Sequence, residues 1–197
     1  MTDASADDTA RDRGTAGYLF EMGALKRAKR SGWWITGVKD PETIAEHSWR
    51  CAVIGSVLAF MEGADPARVA LLCTFHDSQE TRVGDIPWIG RRYLDAASNE
   101  TVTADQVSRA HPRVAEGIKA IVAEYEQGDS LEVVVAHDAD RLECAIQGLE
   151  YLQQGYPAAQ EWVDTTLARV KTPSAVALGE AARGMPIAEW QRTYLGA

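Results

Sequence analysis

Positive charge, cysteine and long apolar runs are all scarce in this 197-residue sequence, and each scarcity removes a class of function. Lysine and arginine number 20 against 29 aspartates and glutamates, a net charge of −9. So acidic a chain repels a phosphate backbone, which argues against a nucleic-acid polymer as partner. A small anion held at a locally basic or metal-bearing site is still allowed. The three cysteines, Cys51, Cys73 and Cys144, form no C-x-x-C pair and lie in apolar helical surroundings. They are expected to be reduced core thiols of a cytoplasmic protein. No apolar run is long enough to span a bilayer. The opening MTDASADDTARDRG is polar and acidic and has no apolar signal-peptide core, so residues 1–16 are expected to form a disordered tail.

What is present suits a globular domain: 46% hydrophobic and 25% charged residues, enough for a core without covalent staples. The patterning predicts helices almost throughout, hence an all-α fold. A first helix is expected over 17–29, with Leu19, Met22 and Leu25 on one side. Asp40 and Pro41 can cap and open a second helix, which runs to about Met61 and stops near Gly63. Asp65 and Pro66 repeat the device for a third, to about Val83 before Gly84. Segment 88–112 holds at most a short helix, and a further helix is expected over 113–126. Ser130 can cap a long one to about Gln154, followed by another over 158–171. "LEVVVAHDA" has some strand character, but the apolar spacing onward through Leu142 and Ile146 favours helix. Residues 172–197 read as a helical extension packed on the domain.

Polar residues then turn up where the apolar stripes point inward. Ile44, His47, Cys51, Ile54 and Leu58 share one face of the second helix. Val69, Leu72, His76, Glu80 and Val83 share a face of the third, with Asp77 about 100° around it. His137, Asp140, Cys144 and Gln147 line the long helix. An unpaired buried polar group costs about 1–3 kcal/mol, and an unpaired charge more. One divalent cation shared by the three helices would compensate all of them. Imidazole nitrogen and carboxylate oxygen suit a first-row metal, and two histidines with two aspartates leave coordination positions open for water or substrate.

"EHSWR", "FHDSQETRVGDIP" and "HDADRLECAIQGLEY" together resemble the HD-domain metal-dependent phosphohydrolases, which share the order H…HD…D. The likeness is nearest to the 5′-deoxynucleotidase branch, with its "R-x-G-W" loop and "HD-x-x-E-x-x-x-GD". It covers roughly 17–165 and implies an HD domain over 17–171. By that resemblance His47, His76, Asp77 and Asp140 hold the metal, with cobalt or manganese favoured and iron, nickel, zinc or magnesium possible. Glu80 acts in acid–base chemistry and Asp85 helps to position substrate. Arg30 and either Trp33 or Trp34 meet the phosphate and sugar, with Lys26 one turn earlier. The implied substrate is a (deoxy)nucleoside 5′-monophosphate and the implied assembly a homodimer. A modified nucleotide, another small phosphate ester, di-iron oxygenase chemistry and a non-catalytic nucleotide-binding module are the alternatives.

Overall fold

Ten α-helices carry the residues that the computed structural model describes, 3–195, and the only extended pairing among them is an isolated bridge between Lys29 and Thr43. Helix α1 (Asp3–Met22) starts well before Gly17, so most of the segment expected to be a disordered tail is helical. Asp7 and Asp8 lie 2.5 and 3.6 Å from Arg11, the spacing at which opposite charges support a helix, and carboxylates near an N-terminus offset its dipole.

Helix α2 (Ile44–Glu62) is capped by Thr43 rather than Asp40. The Glu46 amide donates to Thr43 Oγ1 at 3.2 Å, and the Thr43 amide donates to Glu46 Oε2 at 2.6 Å. This reciprocal box satisfies two otherwise orphaned donors, which Asp40 placed before a proline does not. Asp40 pairs with Lys29 instead. Asp65 does cap α3 (Pro66–Phe75), as expected. The helix then ends early. The chain turns through His76–Gln79 and resumes as the single turn α4 (Glu80–Val83). Ser78 drives the break, its amide and Oγ both donating to the Phe75 carbonyl at 3.1 and 2.8 Å. Val83 consequently leaves the inward stripe and is exposed.

The remaining helices are α5 (Asn99–Gln106), α6 (Pro112–Gln127), α7 (Leu131–Gln153), α8 (Ala159–Leu167), α9 (Pro173–Arg183) and α10 (Glu189–Leu195). Ser130 caps α7 as expected, and His111 caps α6 by accepting the Arg113 amide. Helices α2, α3 and α7 enclose the main core, with Leu58, Val69, Leu72, Val135 and Leu142 all but inaccessible. Each such side chain contributes about 1.5–3 kcal/mol of transfer free energy. Gly55 lets α2 and α3 approach closely: a Cβ there would lie 2.8 Å from both Cys73 Sγ and Val69 Cγ1.

Helix α9 belongs to this core through Ala175. It is fastened by Asp138, fully buried on α7. Asp138 Oδ2 accepts the amides of Lys171 and Thr172 at 2.8 and 2.6 Å and the Thr172 hydroxyl at 2.9 Å, while Oδ1 accepts Arg141 Nη1 at 3.0 Å. No helix among the described residues is long and apolar enough to cross a membrane.

Candidate metal centre

The four residues expected as ligands converge from three elements. His47 comes from mid-α2, His76 and Asp77 from the break after α3, and Asp140 from mid-α7. His47 Nε2 lies 3.3 Å from His76 Nε2, 3.6 Å from Asp77 Oδ2 and 3.2 Å from Asp140 Oδ1. His76 Nε2 is 3.2 Å from Asp77 Oδ2 and 3.7 Å from Asp140 Oδ1. The helix break is what turns consecutive residues His76 and Asp77 toward one point.

The ring hydrogen bonds test whether these donors fit a cation. His76 Nδ1 lies 2.7 Å from the Cys73 carbonyl, which can only accept, so Nδ1 carries a proton, and a metal replacing any second proton would meet the Nε2 lone pair. His47 Nδ1 is held in the same way by the Glu143 carboxylate. His47, His76 and Asp77 thus come close enough together to hold one ion, and Asp140 reaches the same two imidazoles, with the outer hydrogen-bonding pattern of metal-bound histidines. The set fits a divalent cation.

The electrostatics agree. Burial and Arg30 draw the His47 imidazole down, but Glu143 and Asp140 outweigh them and lift it to about 9. His76 is lifted well above its ordinary value because Asp77 and Asp140 overcome its burial. Burial alone would raise Asp77 and Asp140, yet the imidazoles hold both well below the usual carboxylate range. Such shifts mark a cluster that retains positive charge, as protons or as a metal.

Around the centre, Arg30 Nη1 donates to Asp77 Oδ2 at 3.1 Å. Glu80 lies beside Asp77 with its Oε2 buried and without a hydrogen-bond partner. Burial, then the charges of Asp77 and Asp85, push its carboxyl up to about 8. A cleft of about 450 Å³ opens on Asp77 and Glu80 and is bounded by Val83, Gly84, Ile86 and Arg91.

Other expected residues lie elsewhere. Trp33 is buried at 1% exposure, its ring against Tyr151 and Trp162 and its Nε1 donating to Glu42 at 3.0 Å; an apolar ring with one polar handle is satisfied there and unavailable to a ligand. Trp34 is 54% exposed. Lys26 is exposed at the end of the 3₁₀ turn Gly23–Lys26. Asp85 turns toward the 3₁₀ turn Ser31–Thr36, where its Oδ2 accepts Ser31 Oγ and the Gly32 amide, both at 3.3 Å. His111 is occupied in capping α6, and His137 packs against Tyr125 with tilted rings whose centroids are 4.3 Å apart. Sequence reasoning missed Glu143. Its signal was present, three positions after Asp140 and so on the same helical face.

Residues 22–181 match the HD domain family, far more than half of the chain. The chain belongs to the HD domain family. The match runs past residue 171 and through most of α9, in line with the packing of Ala175. Among the HD relatives, the 5′-deoxynucleotidase HDDC2 of Homo sapiens is 28% identical over 165 residues, 82% of this chain and 80% of its own. The Bos taurus protein of the same name is 29% identical over 185 residues, 90% of each. The 5′-deoxynucleotidase hdd1 of Schizosaccharomyces pombe is 27% identical over 140 residues, 68% of this chain and 70% of its own. A conserved hypothetical protein from Pyrococcus furiosus superposes with TM-score 0.70 at 27% identity, covering 87% of this chain and all of its own. A predicted metal-dependent phosphohydrolase from Magnetospirillum magnetotacticum gives TM-score 0.67 at 25% identity, covering 88% and 91%. Family and named relatives together make this HD chain a metal-dependent phosphohydrolase.

Proposed function

We propose that this HD protein removes phosphate from nucleoside 5′-monophosphates, with deoxynucleotides as its preferred class, using one divalent cation, cobalt or manganese, held by His47, His76, Asp77 and Asp140. The observation that carries the reading is the setting of Asp77: Arg30 donates to its carboxylate, and Glu80, with its buried and unpartnered Oε2, lines the same cleft as Asp77. When bound, the cation would lower the pKa of a coordinated water and offset charge on the phosphoryl oxygens. Arg30 grips non-bridging phosphate oxygens, for which a planar guanidinium fork is suited. Glu80, pushed up to about 8, keeps a proton near neutral pH and can pass it from its carboxyl to the departing 5′-oxygen. Asp85 contributes by holding Ser31 and Gly32, and hence the turn that begins just after Arg30. Of the two adjacent tryptophans, the exposed Trp34 is the one left to meet the sugar.

A single cation is supported by the engagement of His111 and His137 elsewhere, the former as a helix cap and the latter against Tyr125. The enzyme is proposed to act in the cytoplasm as a homodimer. Trp49, Val53, Val57 and Phe60 form an exposed apolar stripe along α2 that the sequence did not announce, and it offers an apolar surface for that assembly.

The deciding experiment measures phosphate release from a panel of ribo- and deoxynucleoside 5′-monophosphates with cobalt, manganese or chelator, beside Asp77→Ala. Metal-dependent release favouring deoxy substrates, abolished in a folded Asp77→Ala protein, is expected. Release retained by that variant would overturn the ligand assignment. Absence of release from every nucleotide would overturn the substrate class.

A further inference from the structure

The network behind His47 is more elaborate than that behind His76. Glu143 is fully buried, and a buried carboxylate is expensive unless its lone pairs are used. Its Oε2 takes His47 Nδ1, and its Oε1 takes Arg50 Nε at 2.8 Å. Arg50 is itself fixed by Gln147 Oε1 at 2.6 Å and Glu150 Oε1 at 2.8 Å, both on α7. His76, by contrast, is oriented by the neutral Cys73 carbonyl. Glu42, His47 and Glu143 also come close enough together to suggest a second ion site. However, both Glu143 oxygens and Glu42 Oε1 are already taken by protein donors, so this group is not proposed as an ion site.

We propose that Glu143, held by Arg50, is a positioning residue for His47: it retains the Nδ1 proton and fixes Nε2 toward the metal position. The inference rests on His47 being a ligand. It also gives α7 two tasks, since Asp140 and Glu143 share a face, so that one helix delivers a ligand and the orienter of another.

The test titrates metal-free protein with cobalt, following the visible absorption of the bound ion, for wild type, His47→Ala, Glu143→Ala, Glu143→Gln and Arg50→Met. Wild type is expected to take one cobalt per chain and His47→Ala to lose it. Glu143→Ala should bind about 10–100-fold more weakly, with Glu143→Gln between it and wild type and Arg50→Met losing least. If Glu143→Ala does not fold, the nearly isosteric Gln variant carries the test. Tight binding by His47→Ala, or none by wild type, would remove the ligand reading and this proposal with it. Loss in His47→Ala with Glu143→Gln titrating like wild type would overturn the positioning role alone. So would a Glu143 variant whose metal-free melting temperature falls while its cobalt affinity does not, because that is the signature of packing only.

Discussion

Asp138 and Asp140 are separated on α7 by one alanine and point to different sides of that helix. Asp138 is wholly buried and meets four donors, three of them from Lys171 and Thr172 in the segment leading into α9. Asp140 is one-third exposed and meets two imidazoles whose lone pairs crowd the same point. A carboxylate surrounded by fixed donors is complete as folded and acts as a fastener. One facing two basic imidazoles needs positive charge in that space, as protons or as a cation. Two aspartates of the same helix thus divide into structure and chemistry according to what the neighbouring elements bring to each.

The comparison can be broken most forcefully at Asp140. Asp140→Ala should reduce phosphate release by more than the roughly 100-fold that losing an outer hydrogen-bond partner costs a metal site. The metal-free melting temperature should stay near that of wild type, which kinetics beside calorimetry would check. Asp138→Ala should do the reverse. Leaving two amides and a hydroxyl unsatisfied costs about 3 kcal/mol, or about 6–12 °C in a chain of this size, read by thermal denaturation, with cobalt affinity retained. Chelation sharpens the contrast from the solvent side. Metal at about 100 times its dissociation constant adds about 2.7 kcal/mol to stability. Its removal should therefore lower the melting temperature of wild type and of Asp138→Ala alike, and leave Asp140→Ala unmoved. The smallest effect belongs to Arg141→Met. Its bond to Asp138 joins residues three apart on one helix at a partly exposed position, worth at most about 1 kcal/mol, so melting should fall by only a few degrees. A drop as large as that of Asp138→Ala would mean that the arginine, not the backbone amides, closes the fastener.

Much of the chemical half of this contrast was legible in sequence. His47 and Asp140 sit on inward stripes that the period shows, their expected role coming from the family resemblance, and Asp65 and Ser130 cap their helices as their chemistry dictates. The structural half was not. Asp138 falls off any stripe that singles it out, and its partners are backbone amides 33 and 34 positions away, which carry no sequence signal. The break after Phe75 was hidden because the apolar period continues through Val83 while Ser78 competes for the backbone. Thr43 displaced Asp40 as a cap because a box with Glu46 outweighs a good single residue. The apolar stripe from Trp49 to Phe60 was masked by the inward stripe on the same helix: α2 is apolar on two faces, and only packing tells which is covered. Trp33 stood beside Trp34 as a candidate to meet the sugar because the family's loop resembles this stretch. Its burial depends on Tyr151 and Trp162, far along the chain.

The turn Ser31–Thr36 has a consequence for how Arg30 works. It is tied at one side to Asp85 through Ser31 and Gly32, and at the other to Glu42 through the Trp33 indole and the Arg30 amide. A free arginine gives up on the order of 2 kcal/mol of rotamer entropy when it is fixed. Here the main chain beneath the guanidinium is immobilised at folding, and Asp77 already selects its orientation. An incoming anion then replaces one carboxylate contact with another oxyanion contact instead of organising a loose side chain. On the proposed assignment, discrimination among substrates at this residue becomes a matter of fit and residence time, with little conformational search before capture.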